Sequence, residues 1–246
     1  GDTCYAYYTT NEPAEYFGTF SSFGYAPVEG ATHVVFADGS YIFCEGVTNA
    51  FYVSELNSLA VSPLSFASAE GDPDAIVAII MNNNDLWIFG ERTTEVWANT
   101  GNADFPYQRI DGGIIEQGTA AAGSVAKIAG QTFWLGRDAY GQGAVYTAQG
   151  LIPRPISTKA IETAINGYAD ISTAVGYCYS ASGHNFYVLN FSEMTWVYDL
   201  ASGMWHERAF TNEGSLERHR GQVHGFFPQY GLHLVGDYAN EKLYKF

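Results

Sequence analysis

Short runs of aromatic and β-branched residues, each closed by glycine, asparagine or aspartate, recur along the whole chain. Val34-Val35-Phe36 is followed by Ala37-Asp38-Gly39 and then by Tyr41-Ile42-Phe43. Asp-Gly tolerates the positive φ of a tight hairpin turn, so two antiparallel strands are predicted there. Ile76-Val77-Ala78-Ile79-Ile80, the turn at 82–85, Leu86-Trp87-Ile88-Phe89-Gly90 and Thr94-Glu95-Val96-Trp97 form a second group, an antiparallel meander. Residues 125–128, 132–136 and 144–147 repeat that order around Gly130. A fourth group runs through 174–179, a Ser182-Gly183 turn, 185–190, 195–199 and 203–206. The fifth comprises 223–227, 231–236 and 241–245.

When these groups are aligned on the residue ending their second strand, Gly90, Gly136, Asn190 and Gly236 fall 46, 54 and 46 residues apart. Repeats of about 40 to 50 residues are the mark of propeller blades, each a four-stranded antiparallel sheet. The fold predicted is therefore an all-β β-propeller with five units visible, spanning 1–246 as a single domain. A β-sandwich or prism with similar hairpins is the competing architecture, and the regular period favours blades. One segment departs from the pattern. Residues 157–165 place apolar side chains at 160, 161, 164 and 165, with Ser157 as N-cap and Asn166-Gly167 as a left-handed stop, and so predict one short helix. The first 30 residues, rich in Tyr, Phe, Gly and Pro, show no alternation; an incomplete blade, a closing strand or an ordered arm would each fit.

Composition agrees with strands. The chain is 47% hydrophobic and only 15% charged, which excludes disorder, and its 18 Tyr and 16 Phe suit pleated, half-buried surfaces. The net charge of −15 would repel a phosphate backbone, so direct nucleic-acid binding is not expected. It serves solubility, or a surface that meets a basic partner. Cys4, Cys44 and Cys178 are odd in number and far apart, fitting neither a disulfide framework nor a zinc site, and read as buried apolar residues. No apolar run would cross a bilayer, and residues 1–5 lack the start of a signal peptide. A chain starting at Gly1 is expected to be a processed product or a fragment.

Few constellations suggest chemistry. His206-Glu207 begins like a metalloprotease helix but has no second histidine four residues on, and it sits at a strand end. His219 and His224, near Arg218 and Arg220, would need a third ligand from elsewhere to hold a metal. Glu70-Gly71-Asp72-Pro73-Asp74 lacks the alternation and distant glutamate of a calcium loop and reads as a solvated turn. Neither a nucleophile elbow nor a phosphate-cradling loop is present. The hairpin from Trp196 to Trp205 reads as core packing, in the manner of kelch-type propellers. No catalytic, cofactor-binding or metal residue is therefore assigned. A glycosidase pair among 26 acidic residues is not resolvable from sequence.

Residues 86–97, from Leu86 to Trp97, followed by Gly101-Asn102-Ala103-Asp104-Phe105-Pro106-Tyr107, resemble the central part of the packaged-DNA stabilisation proteins of short-tailed phages. Residues 155–162 and the hairpin from Trp196 to Arg208 resemble later parts of the same family, in consistent order across roughly 30 to 240. The resemblance implies a virion protein, a tail accessory or hub component that assembles below the portal and adaptor ring after packaging and helps retain DNA. It implies a homo-oligomeric ring with adaptor, needle and tailspike proteins as partners, and no enzyme activity or cofactor. Family members are longer than this chain, which leaves ring closure and the subunit-joining surfaces open. The alternative function is a secreted glycan-binding or glycan-hydrolysing propeller. Exposed Tyr and Phe are the expected contact anchors in either case.

Overall fold

The computed structural model describes residues 31–71, 74–138, 140–212 and 214–246. The expectations for the first 30 residues and for Cys4 lie outside them. Blade 1 consists of β1 (Ala31–Ala37), β2 (Ser40–Glu45), β3 (Ala50–Val53) and β4 (Phe66–Ser68). Blade 2 holds β5 (Ala78–Asn82), β6 (Asp85–Phe89), β7 (Thr94–Asn99) and β8 (Tyr107–Ile115). Blade 3 holds β9 (Ala126–Ile128), β10 (Gln131–Arg137), β11 (Gly143–Gln149) and β12 (Ile152–Pro155). Blade 4 holds β13 (Val175–Ala181), β14 (His184–Asn190), β15 (Thr195–Asp199), β16 (Met204–Asn212) and β17 (Ser215–Arg218). Blade 5 holds β18 (Gly221–Phe227), β19 (Leu232–Asp237) and β20 (Leu243–Lys245). Each sheet is an antiparallel meander in chain order, the arrangement of propeller blades.

The β-propeller predicted from the period is thus the observed fold, with five blades. Blade 4 carries one strand beyond the expected four. The first half of β16 pairs with β15, from Asp199↔Met204 to Thr195↔Arg208, and its second half pairs with β17, from Ala209↔Arg218 to Asn212↔Ser215. Blade 5 shows three strands among the described residues.

Local sequence explains the hairpins. In blades 1 to 4 the first two strands are joined by two residues, at 38–39, 83–84, 129–130 and 182–183. Asp38 and Gly39 both have positive φ, as do Ser182 and Gly183, which matches the twist of the flanking strands.

The core lies between blades. Ile42, Cys44, Phe51 and Val53 of blade 1 pack on Ile79, Met81, Leu86 and Ile88 of blade 2. The opposite face of blade 2, with Trp87, Phe89 and Val96, packs on Trp134, Ala144 and Tyr146 of blade 3. Phe133, Leu135 and Val145 then meet Tyr187, Leu189 and Phe191 of blade 4. An inner blade is therefore covered on both faces, and its second strand is apolar without alternation, as in Leu86-Trp87-Ile88-Phe89. Each of these large side chains contributes about 1.5–3 kcal/mol by leaving water.

The glycines that set the period are places of close approach. Thr119 donates its N–H to the Gly90 carbonyl at 2.9 Å as the chain crosses from blade 2 to blade 3. A Cβ on Gly118 would lie 2.4 Å from the Arg92 nitrogen, and one on Gly136 would lie 2.7 Å from the Gly118 carbonyl oxygen.

The α-helix, α1 (Lys159–Ile165), begins one residue later than the N-cap at Ser157 suggested. Its N-cap is Thr158, whose side chain accepts from the Ile161 N–H. Ser157 is occupied elsewhere, for its hydroxyl accepts from the Val145 N–H at 3.1 Å and donates to Glu162 at 3.0 Å. Nor does Asn166 adopt the expected left-handed stop. Its φ is −73°, and its side chain closes the helix by donating to the Glu162 carbonyl at 2.7 Å. Ile161 and Ile165 bury the helix against the core shared by blades 3 and 4.

Candidate functional site

The residues with suspected chemistry are dispersed in the structure. His206 and Glu207 are exposed positions on β16, a strand where the metalloprotease motif needs a helix. In the loop before blade 2, Asp74 accepts from the Arg92 N–H at 2.8 Å, and the Gly71 N–H donates to Glu95 at 2.5 Å. Asp72 and Pro73 are outside the described residues. Glu95 is the one deeply buried glutamate of that region, and it also accepts from Trp97 Nε1 at 2.9 Å and faces Arg109 at 3.4 Å. Those three partners satisfy it as a structural acceptor.

His219 and His224 both lie at the seam between blades 4 and 5. His224 stacks on the Tyr177 ring at 5.6 Å and shares a hydrogen bond with His233, Nε2 to Nδ1, at 2.9 Å. Burial, and next the neighbouring His233, lower the His224 imidazole below its ordinary 6.5. No group of three or more metal-ligating side chains is present among the described residues. Cys44 and Cys178 are free thiols, and burial pushes Cys44 up to about 11. In the hairpin of blade 4, Trp196 Nε1 donates to the Tyr168 hydroxyl and Trp205 Nε1 to the Ile156 carbonyl, while both rings pack on the core of blades 3 and 4.

The surface that stands out is apolar and lies on the first and last blades. Strand register places Val34, Phe43, Tyr52 and Phe66 directly opposite one another across all four strands of blade 1. This row lies on the face turned away from blade 2, whose contacts use Ile42, Cys44, Phe51 and Val53. Phe36 extends it, its ring 4.8 Å from Tyr41. Val34 and Phe36 are more than half exposed, and Phe66 nearly half. Blade 5 does the same in mirror fashion. His224 turns toward blade 4, so Val223, Phe227 and Leu243 point outward, and all three are largely exposed. Among the described residues no strand pairing joins blade 1 to blade 5. An apolar sheet face of this kind, uncovered among the described residues, marks a contact surface. The sequence could name aromatic residues as anchors but not these ones, because exposure depends on which sheet faces meet a neighbouring blade.

The profile of the family described as bacteriophage P22 Gp10, beta-propeller, a phage stabilisation family, matches residues 2–246. The chain belongs to this family. Membership accounts for the resemblance of its motifs and supports the role of a phage structural protein.

Among curated proteins none matches the sequence. Among solved structures, the extracellular domain of a protein described as a hybrid two-component system from B. thetaiotaomicron is similar at a TM-score of 0.54 and 10% identity, covering 89% of this chain and 28% of that one. The N-terminal domain of Nup159 gives 0.51 and 10%, covering 87% and 64%. A luciferin-regenerating enzyme gives 0.50 and 13%, covering 89% and 74%. At such identities these likenesses speak for the propeller fold alone, and the chain spans only about a quarter of the length of the first. No helix among the described residues is long and apolar enough to cross a membrane.

Proposed function

We propose that this protein is a tail hub or accessory component of the virion that closes the portal-adaptor channel and retains packaged DNA through protein-protein contacts, without catalysis. The observation that carries this reading is the pair of uncovered apolar sheet faces on blades 1 and 5. Among the described residues the faces between successive blades cover one another, so these two are suited to protein surfaces. A net charge of −15 keeps the chain off the DNA it would retain, and barring the channel needs no grip on phosphates. The partners in this reading are further copies in a ring around the tail axis and the adaptor, needle and tailspike proteins.

The test uses particles of the parent phage assembled without this protein. Adding the intact chain should give co-sedimentation with the particles and protect their DNA from nuclease. The double variants Phe36→Ser/Phe66→Ser and Phe227→Ser/Leu243→Ser, checked for native fold by circular dichroism, should sediment free and leave the DNA accessible. Full DNA retention by both folded variants would overturn the reading, as would failure of the intact chain to bind particles.

A further inference from the structure

In a chain with only 11 lysines and arginines, three arginines, Arg208, Arg218 and Arg220, lie along the seam between blades 4 and 5. Two of them have ring and polar or carboxylate neighbours, although the Arg220 Nε is itself without a hydrogen-bond partner. The Arg218 guanidinium lies 3.4 Å above the Tyr238 ring and donates to Gln222 at 2.7 Å, and Arg220 lies over Phe210 with Glu217 at 3.8 Å. Arg208 is different. Its Nη2 donates to the Tyr179 hydroxyl at 2.5 Å, and its guanidinium is flanked by the rings of Tyr179 and Phe246 at 5.4 and 5.5 Å. Its Nη1 is buried with no partner, and among the described residues no carboxylate pairs with it.

Two more polar atoms are in the same condition beside it. The Tyr177 hydroxyl, on a side chain 7% exposed, has no hydrogen-bond partner, and neither has His219 Nε2. These two converge on Gly221, where an added Cβ would lie 2.7 Å from His219 Nε2 and 3.3 Å from the Tyr177 oxygen. Burial and then Arg208 hold the His219 imidazole below its ordinary value, and burial raises the Tyr177 hydroxyl against the pull of the same arginine. Arg208 therefore stands close to both. The seam so gathers the free Nη1 of a fixed positive charge, a phenol and an imidazole nitrogen, each able to donate to an acceptor placed between them. A water molecule would satisfy hydrogen bonds but would leave the guanidinium without a counter-charge, whereas an oxyanion supplies both. Arg208 and His219 are half-buried as residues, while the three polar atoms themselves are turned inward.

We propose that Arg208, Tyr177 and His219 form a binding site for a small oxyanion, a carboxylate or a phosphate group, held between blades 4 and 5. The bound group joins β13 and β16 of blade 4 to the segment entering β18 of blade 5, and so ties the last blade to its neighbour. This site does not depend on the proposed tail role.

The test is isothermal titration of the full chain at neutral pH with sodium phosphate and, separately, sodium acetate, each against sodium chloride at equal ionic strength. Saturable binding of at least one oxyanion is expected, with phosphate alone assigning a phosphate group and acetate alone a carboxylate. Arg208→Gln should weaken it at least about tenfold, the loss of a charge-assisted hydrogen bond. Tyr177→Phe removes only the hydroxyl that faces Arg208, so it should fold like the parent protein and still bind more weakly. Absence of binding by both ions overturns the proposal, as does equal binding by the parent protein and Tyr177→Phe.

Discussion

The Tyr187 hydroxyl on β14 donates to the Ser124 carbonyl at 2.8 Å, so that a fully buried ring of blade 4 is bonded to the turn that opens blade 3. The ring also stacks on Phe133 at 5.2 Å. Tyr187→Phe keeps the stack and orphans the carbonyl, for an expected cost of about 1–3 kcal/mol. Tyr187→Ala should cost about 3–5 kcal/mol by opening a cavity as well. Urea denaturation of the two variants separates the hydrogen bond from the packing.

Gly118 allows the crossing chain to lie on the end of β6. A Cβ there would meet backbone atoms of Glu91 and Arg92 at 2.4 Å, and backbone cannot swing aside as a side chain can. Gly118→Ala should therefore destabilise by at least about 1–3 kcal/mol. Gly183→Ala, where a Cβ would meet nothing within 4 Å, should cost less, reflecting only its φ of +81°. Thermal unfolding in parallel would rank the two.

Glu95 anchors the loop ahead of blade 2. Glu95→Ala leaves the buried Trp97 N–H and the Gly71 N–H without their acceptor, at an expected cost of about 1–3 kcal/mol. The exposed end of Arg109 loses little, since solvent screens it. A changed tryptophan emission spectrum and faster proteolysis near residue 71 would report the loosened loop.

Alkali should unfold the protein through its tyrosines. Burial pushes Tyr107 and Tyr177 up to about 12 and Tyr187 well above the ordinary 10. Above pH 10 the unfolded chain releases protons that the native state keeps, so stability is intact below pH 10 and falls as the pH climbs toward and beyond 12. Tyrosinate absorbance should show an early phase from exposed rings and a late one coincident with loss of circular dichroism.

Legibility in the sequence followed burial. The strands read correctly are those that bury both faces, such as β6, β10 and β14, where apolar runs are unbroken between turn residues. Those not found are mostly outer ones, the four-residue inner strand β3 being the exception. β4 is three residues long, β12 carries two prolines as Ile152-Pro153-Arg154-Pro155, and β8 includes Gly112-Gly113 beside an irregularity in its pairing. An outer strand packs little and bonds on one side only, so selection for alternation is weak and proline is tolerated. The helix start was misplaced by one residue because Ser157 and Thr158 are equally good caps, and the choice is made by the distant Val145 N–H.

The contact surface was hidden for another reason. Val34 and Phe36 look like Ile42 and Phe51 in sequence, and what separates them is which face of blade 1 meets blade 2. The seam cluster was half visible, since the sequence drew attention to His219 and His224, yet the donors beside them come from β13 and β16, some 11 to 42 residues earlier.

Because each apolar layer is shared by two successive sheets, a sheet leaving the ribosome has nothing to settle against until the following one has emerged. Synthesis from the N-terminal end thus sets the order of assembly, each sheet acting as the template that captures its successor. Of the described sheets the fifth is captured through its blade 4 face, so its attachment waits on the fourth.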